Sequence, residues 1–382
     1  MSESSQRQQF FIHAGLPKTG TSFLQDILFS SRDALRDQGL ELIPKGRHGH
    51  FNLALKVRGM LRPFDDPNTH GVLERFGAQA EQNRAPRALL TQEALAAAPV
   101  AAVATLLAPL ERYEVHLIVT VRDLGRQVPS AWQQGIKGRK KIAYGEFLEA
   151  VAQRTEPAMD FWRNQDLRDV LNRWSTGIAA ERIHVITCPQ SDAPPGLLLE
   201  RFCSVLGLDP VTLNAVARTT NPSLGHAQAE LLRRVNVALG DRLPHSRDGY
   251  RRVARSFLSD RVLQPQSGRR AQLPSAMSNW VEDLTSSWVQ YLCAGGFAIV
   301  GDLAELHTQD SAYSAELSRS SESELLEVAV NALADILEIR DRELGAREGA
   351  PTQGAEAQGA ELGTRRDRWS VTRIARAALR RR

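Results

Sequence analysis

Residues 10–24 read Phe-Phe-Ile-His-Ala-Gly-Leu-Pro-Lys-Thr-Gly-Thr-Ser-Phe-Leu. The apolar run 10–14 predicts a buried strand, residues 15–20 predict a tight loop, and a helix is expected to begin near Thr21. In a strand–loop–helix unit of this kind, backbone N–H groups and the N-terminus of the helix hold an anionic group. The sequence therefore predicts a phosphate-binding loop near the start of the chain.

The lysine of this loop is not where nucleotide-binding loops usually carry it. Loops that bind nucleoside triphosphates read Gly-x-x-x-x-Gly-Lys-[Ser/Thr]. Gly15 and Gly20 keep that spacing, but Thr21 occupies the lysine position, and Lys18 lies inside the loop instead. We therefore expect the ammonium group of Lys18 to project from the loop towards the terminal part of the bound group.

The segment 16–24 resembles the 5′-phosphosulfate loop of sulfotransferases, which carries Lys between Pro and a Thr/Ser-Gly-Thr run. That family takes a sulfuryl group from 3′-phosphoadenosine-5′-phosphosulfate (PAPS). We expect Lys18 to neutralise the oxygen that bridges phosphate and sulfate. Backbone N–H and hydroxyl donors to the 5′-phosphate are expected from four residues: Thr19, Gly20, Thr21 and Ser22. No metal is expected, because the sulfuryl group carries less charge than a γ-phosphoryl group.

A second phosphate site is predicted after the apolar run 114–121, which reads as a buried parallel strand. Arg122 follows this strand directly, at the end where α/β sheets bind ligands. The 3′-phosphate site of the same family is an Arg after such a strand and a Ser eight positions on, which Arg122 and Ser130 match. A guanidinium can hold a phosphate through two parallel N–H bonds. The alternative is that Arg122 only pairs with Asp123 or another carboxylate.

Two residues are candidates for the general base that removes the proton of the acceptor hydroxyl. Glu93 follows the predicted strand 87–92, whose carboxyl end should face the same cleft. It could equally cap the next helix or pair with Lys18. His50 lies in Gly-Arg-His-Gly-His-Phe-Asn, read as a polar loop, and histidine has the better unperturbed pKa for this role. Metal binding by His48 and His50 would lack further ligands.

Signals for the acceptor are weaker than those for the donor. The basic run 137–141 is either a binding surface for an acidic group or a solvated face. Arg269 and Arg270 are further candidates for the 3′-phosphate site. The expected acceptor is therefore a hydroxyl-bearing glycan, lipid or small molecule without further definition.

The order of predicted elements defines the fold class. Strand candidates at 40–44, 87–92, 114–121 and 182–188 alternate with helical stretches at 23–38, 98–112, 161–176 and 194–206. Further helices are predicted within 221–239 and 279–306. This alternation predicts βαβ units and an α/β fold of three layers, P-loop-type, with a mostly parallel β-sheet flanked by helices. The sulfotransferase-like domain is predicted to span 8–310.

The C-terminal part has a different character. Residues 311–345 are predicted to be a polar segment followed by a helix, with Leu326, Val330, Leu333 and Leu337 spaced as in a coiled coil. That helix either forms a homo-oligomer, packs back on the domain or stands free. Residues 346–364 are predicted to be a disordered linker and 365–382 a basic amphipathic tail. The tail is either solvated or in peripheral contact with a membrane.

Composition and charge exclude several classes. The chain has 382 residues, 42% of them hydrophobic and 24% charged, as is usual for a globular protein. Residues 365–382 carry eight arginines and one aspartate, so the other 364 carry a net charge of −3 against +4 for the whole chain. This argues against a nucleic-acid-binding surface. Three widely spaced cysteines, no apolar signal segment and no long apolar run predict a cytoplasmic location.

The resemblance implies a PAPS-dependent sulfotransferase that acts by in-line transfer to a hydroxyl without a metal. Two alternatives stay open. A P-loop small-molecule or nucleotide kinase would need a lysine beside Ser22 and a magnesium-binding Asp at a strand end. A non-catalytic sulfotransferase-like binding module would have no reason to keep Lys18, Arg122 and Ser130.

Overall fold

A parallel β-sheet of six strands forms the centre of the computed structural model, which describes residues 7–62, 65–213, 223–243, 247–266 and 268–348. The strands of the sheet are β1 (Gln9–His13), β2 (Leu40–Leu42), β3 (Arg87–Thr91), β4 (Glu114–Val121), β5 (Ile183–Thr187) and β7 (Ala298–Val300). Their spatial order is β2-β3-β1-β4-β5-β7, and every neighbouring pair is parallel. Two short strands, β6 (Leu273–Pro274) and β8 (Tyr313–Ser314), form a separate parallel pair.

The helices cover both faces of the sheet. In the first half of the chain they are α1 (Thr21–Ser30), α2 (Arg32–Asp37), α3 (Arg47–Val57), α4 (Pro67–His70), α5 (Val72–Gln82), α6 (Val100–Leu107), α7 (Leu124–Lys137), α8 (Tyr144–Gln153), α9 (Met159–Gln165) and α10 (Leu167–Trp174). The later ones are α11 (Leu197–Leu206), α12 (His226–Leu239), α13 (Arg247–Tyr250), α14 (Ser278–Ala294) and α15 (Glu322–Glu348). A π-helical stretch, Arg251–Leu263, continues α13, and a 3₁₀ helix, Glu93–Ala97, follows β3.

The side chains of β1 explain why helices cover both faces of the sheet. Phe10 packs edge-on against Phe76 of α5 and against Tyr113, with ring centroids 5.8 and 5.3 Å apart. Its neighbour Phe11 points to the opposite face, into a cluster that includes Leu24 of α1 and Phe202 of α11. Successive side chains of a strand face opposite sides of a sheet, so a continuous apolar strand needs cover on both. The predicted three-layer α/β architecture is confirmed.

The parallel sheet gathers the predicted functional segments at one edge. Carboxyl ends of parallel strands lie together, and ligands bind α/β sheets there. The glycine-containing loop follows β1, Glu93 follows β3 and Arg122 follows β4. Because β1 lies between β3 and β4 in the sheet, the loop has Glu93 on one side and Arg122 on the other.

Several predicted elements differ in the structure. The single helix predicted over 23–38 is two helices that meet at Ser31, and the one predicted over 161–176 breaks at Asp166. The Asp166 side chain accepts a hydrogen bond from the N–H of Asp169 and so caps α10. The polar loop predicted around His50 is wrong, because residues 47–57 form α3. The sequence did not identify β7, which has only three residues, all half-buried.

The chain divides into two compact units, residues 1–333 and 334–382. Helix α15 carries four exposed apolar residues at the predicted coiled-coil spacing: Leu326, Val330, Leu333 and Leu337. Oligomer formation through them stays a prediction, as do the domain limits at 310 and 345. Residues 349–382, with most of the predicted linker and the basic tail, lie outside the described residues. No helix in the described part of the chain is long and apolar enough to cross a membrane.

We expect Gly15→Ala to destabilise the fold, because a Cβ there would lie 2.1 Å from Thr120 Oγ1 and 2.7 Å from His13 Nε2. Forcing a methyl group into such a space typically costs about 1–3 kcal/mol. Urea denaturation measures this loss. Gly135→Ala is the control, since the Cβ would meet only the flexible side chain of Lys140. Equal stabilities of the two variants would contradict the tight packing beneath the loop.

Candidate active site

The loop after β1 stays attached to β4 beyond the end of the strand. The N–H of Leu16 donates to the carbonyl of Thr120 at 3.0 Å. Lys18 and Gly20 then have left-handed backbones, with φ of 73° and 82°. A lysine rarely adopts this conformation, so the surrounding structure must impose it. The loop is therefore held in one shape rather than free to choose among several.

A chain of buried polar side chains holds the inner side of the loop. The donor order that satisfies every group runs from the Thr91 hydroxyl to His13 Nδ1 (2.9 Å), and from His13 Nε2 to the Thr120 hydroxyl (3.4 Å). The Thr120 hydroxyl then donates to that of Thr19 (2.6 Å), which donates to the Leu16 carbonyl (2.5 Å). Burial lowers the pKa of His13 to about 3, so the ring stays neutral and keeps both roles.

This chain of hydrogen bonds determines which groups of Thr19 can bind an anion. Its hydroxyl was predicted to contact the 5′-phosphate, but the residue is fully buried and its one hydroxyl proton goes to Leu16. Its backbone N–H is the group that stays available for an anion. The thiol of Cys188, at the end of β5, also contacts this residue, with Sγ 3.2 Å from the Thr19 carbonyl.

Two buried amides hold the outer side of the loop. Nε2 of Gln165 on α9 donates to the carbonyl of Pro17 at 3.0 Å, and Nε2 of Gln127 on α7 donates to the same oxygen at 2.5 Å. The amides of Gln127 and Gln165 also hydrogen-bond to each other. Both side chains are almost fully buried. The carbonyl before Lys18 is therefore held by donors from α7 and α9.

The N-terminus of α1 is free to receive an anion. Gly20 precedes the helix and provides no side-chain cap, and the first turn has no acidic residue. The first N–H groups of a helix lack partners within it and carry a partial positive charge. Thr21 is buried, whereas Ser22 is exposed with its hydroxyl accessible. Helix, loop and Ser22 together are the candidate anion-binding cradle.

Lys18 stands in a strongly cationic environment. Loss of hydration among the surrounding protein atoms lowers its pKa from 10.5 to about 8, and repulsion from Lys137, Arg255 and Arg122 adds to this effect. Glu93 acts in the opposite direction and raises the pKa. The residue as a whole is nevertheless exposed. Its side chain forms neither a hydrogen bond nor an ion pair within the described residues, so its charge is available for a ligand.

Arg122 links the second predicted phosphate site to the loop. Its Nη1 donates to the carbonyl of Lys18 at 3.1 Å. The predicted alternative was a pair with Asp123, but that carboxylate binds Arg126 and caps α7. Burial, with repulsion from Arg126 and Arg270, lowers the pKa of the Arg122 guanidinium. Arg122 has no ion pair within 4 Å in the part of the chain that the structure describes.

Ser130 lies on α7, where it forms no side-chain hydrogen bond to another described residue. The helix begins at Leu124, so Ser130 is about 9 Å further along its axis. A phosphate held by Arg122 and Ser130 would thus lie along the first two turns of α7. The two side chains are not in contact with each other in the described part of the chain, and the joint 3′-phosphate site stays a prediction.

Glu93 faces the loop from the β3 side. One of its carboxylate oxygens accepts a hydrogen bond from Gln25 Nε2 at 3.1 Å. Gln25 is buried and is itself contacted by Arg47, which pairs with Asp26. The carboxylate is half-buried and held through one oxygen, which leaves the other to accept a proton. The predicted pair with Lys18 is not a direct contact, although Glu93 is close enough to raise the lysine pKa.

His50 is not placed to act as the base. The ring is fully buried beneath Phe29, and its Nδ1 accepts a hydrogen bond from the N–H of Thr91 at 3.0 Å. The remaining proton is therefore on Nε2, so the ring has no free lone pair. Burial lowers its pKa to about 4, which opposes proton uptake further. His48 is exposed on α3. Of the two predicted bases, only Glu93 is left facing the cleft.

Sequence reasoning missed two cations near Lys18. Lys137, at the end of α7, was read as part of a basic surface run, yet it raises the positive charge around Lys18. Its Nζ is 2.9 Å from Asp260 of the π-helical stretch. Arg255 lies one turn earlier on that stretch, in a segment with no motif. The sequence offered one signal for Lys137, its position two helical turns after Ser130, and none for Arg255.

No family model and no curated protein matches the chain. Among solved structures, the fold is similar to that of a sulfotransferase from Alicyclobacillus acidocaldarius, with 17% identity and a TM-score of 0.36. The match covers 56% of this chain and 87% of that one. At this distance the likeness assigns no activity.

Lys18→Met is expected to stabilise the fold at neutral pH. Because the pKa is about 8 in the folded protein and 10.5 in the unfolded chain, keeping the ammonium charged costs free energy below pH 8. The cost vanishes as the pH rises above 10.5. After allowance for solvent screening of an exposed group, we expect a gain of about 1 kcal/mol. Urea denaturation at pH 7 and pH 10.5 measures it.

Lys141→Met, the same change outside the cleft, is the control and should leave stability nearly constant at both pH values. A loss of stability in Lys18→Met at pH 7, or a gain that persists unchanged at pH 10.5, would contradict the crowding of positive charge around Lys18.

Proposed function

We propose that this protein is a PAPS-dependent sulfotransferase that transfers a sulfuryl group to a hydroxyl of a small molecule, lipid or glycan. One observation carries the proposal: Arg122 Nη1 lies 3.1 Å from the carbonyl of Lys18. Two anion-binding elements from different strands thus adjoin at one edge of the sheet. A ligand with an anionic group at each end, such as an adenosine bisphosphate, matches this arrangement.

The residues fit the two ends of such a donor. The cradle formed by the loop, the N-terminus of α1 and Ser22 offers N–H and hydroxyl donors for a 5′-phosphate. Arg122 has no carboxylate partner among the described residues and suits the 3′-phosphate, with Ser130. Arg270 is exposed and close enough to repel Arg122, which supports its role as a further 3′-phosphate ligand.

The chemistry requires charge neutralisation and proton removal. Bound PAPS would supply an electrophilic sulfur and a phosphate leaving group. Lys18, with Lys137 and Arg255 around it, is suited to neutralise charge that develops on that phosphate. Glu93 is the proposed base: its free oxygen would take the proton of the acceptor hydroxyl while Gln25 holds the other. His50 has no role in this scheme.

Binding of adenosine 3′,5′-bisphosphate, the desulfated product, tests the proposal. Calorimetry in the presence of a magnesium chelator should give a dissociation constant in the micromolar range, about −8 kcal/mol. ATP with magnesium should bind at least about tenfold more weakly, because it offers no 3′-phosphate to Arg122. Absence of bisphosphate binding up to millimolar concentration would remove the enzyme assignment. Preferential binding of magnesium-ATP would favour a kinase instead.

Glu93→Gln tests the base once an acceptor is found by a donor-labelled assay over a panel of hydroxyl compounds. The change keeps the side-chain shape but cannot accept a proton, so we expect a loss of about 100-fold or more in kcat. Bisphosphate affinity should stay within about twofold, since Glu93 is not a donor ligand. The control is Glu149→Gln on α8. Turnover unchanged in Glu93→Gln would rule out this carboxylate as the base.

A further inference from the structure

A second group of cations lies beyond Glu93, away from the donor cradle. Arg58 follows α3, and its Nη1 donates to the carbonyl of Ala94, the residue after Glu93, at 3.1 Å. Arg163 is exposed on α9. Both α3 and α9 pack against the 3₁₀ helix that begins at Glu93. We call Arg58 and Arg163 the outer cationic pair.

The positive charge of this region is not balanced. Asp160 pairs with Arg163 at 3.3 Å and also with Lys140 at 3.1 Å, so two cations share one carboxylate. Arg58 has no ion pair within 4 Å among the described residues. Burial lowers its pKa, and repulsion from Arg163 and Arg173 adds to this, while Asp160 acts in the opposite direction. An anion beside Arg58 would relieve this repulsion.

Contacts within the protein occupy the donors of the neighbouring Arg173, but not those of the outer cationic pair. Arg173 donates to the carbonyls of Ala98 and Arg163 and pairs with Asp169, so its donors are used inside the protein. Arg58 makes one contact of this type and Arg163 makes only the shared pair with Asp160. A guanidinium has five N–H donors, so most donors of the outer cationic pair are free for a ligand.

The position of the pair excludes the donor as its ligand. Arg122 follows β4, on one side of the loop, whereas Glu93 and the outer cationic pair are on the β3 side. The proposed donor uses the loop and the β4 side. Arg58 contacts the carbonyl of the residue that follows Glu93, so a group bound at Arg58 would lie on the same side of the loop as the proposed base. The outer cationic pair therefore adjoins the acceptor half of the cleft.

We propose that Arg58 and Arg163 bind an anionic substituent of the acceptor, so that the substrate is a hydroxyl compound that also carries a carboxylate or phosphate group. This inference rests on the proposed function, because the acceptor half of the cleft is defined by Glu93 and the loop. A carboxylate or phosphate matches the planar donor fork of a guanidinium. Discrimination against neutral acceptors comes from leaving those cations without a counter-charge.

The test compares two sugars that differ only at C6, methyl β-D-glucuronide with a carboxylate there and methyl β-D-glucoside with a neutral hydroxymethyl group, titrated into the full-length protein saturated with adenosine 3′,5′-bisphosphate. Saturation-transfer NMR gives the dissociation constants. We expect the glucuronide to bind at least about tenfold more tightly. Glucose 6-phosphate is a third probe, and tighter binding of it than of the glucuronide would identify phosphate as the preferred group.

The variant R58Q/R163Q should reduce the preference for the charged sugar to about threefold or less while bisphosphate affinity stays unchanged. R182Q is the matched control. Arg182 directly precedes β5 and so lies at the amino-terminal end of the strands, and this variant should keep the full preference. Thermal denaturation shows whether each variant is folded, and R163Q alone, a change at an exposed position, serves if R58Q/R163Q is not folded and should lower the preference for the charged sugar.

Three results would overturn the proposal: equal affinity for the two sugars in the wild type, no binding of any of the three probes at about 50 mM, or an unchanged preference in the folded double variant. Failure of the proposed function has a separate signature, since it would appear as loss of bisphosphate binding in the wild type before any sugar is added.

Discussion

The hydrogen bonds between the end of β1 and β4 are the constraint on which the cleft depends. The pairing continues past the last strand residue through Leu16 to Thr120, and the Thr120 hydroxyl then joins Thr19 to His13. Since these groups are fully buried, leaving one without its partner would cost free energy. The loop therefore has one backbone conformation, in which Lys18 has a positive φ.

The same loop concentrates positive charge at a cost to stability. Lys137, Arg255 and Arg122 lie close enough to lower the pKa of Lys18, and Glu93 acts in the opposite direction. A folded protein gains nothing from such repulsion unless an anion is bound. Protein groups that are arranged before the ligand arrives bind it without paying for reorganisation. The distribution of charge, with cations around the loop and the Glu93 carboxylate beside it, matches what the proposed transfer requires.

The sequence predicted the positions of those candidate residues that depend on local signals. Lys18, Arg122 and Glu93 each follow a strand that is recognisable from its apolar run, and parallel strands bring their carboxyl ends together. Arg255 and Gln165 could not be found in this way, because their approach to the loop depends on how distant helices pack. His50 was misjudged for a related reason: its polar neighbours suggested a loop, but tertiary packing made a helix and buried the ring.

The central claim is that the two adjoining cation sites bind opposite ends of one nucleotide. The most direct test is to measure the affinities of adenosine 3′,5′-bisphosphate and adenosine 5′-phosphate for the wild type and for Arg122→Ala. We predict that the 3′-phosphate improves binding by at least about tenfold in the wild type and gives almost no gain in the variant, whose affinity for the monophosphate is unchanged. A gain of the same size in both proteins would contradict the account.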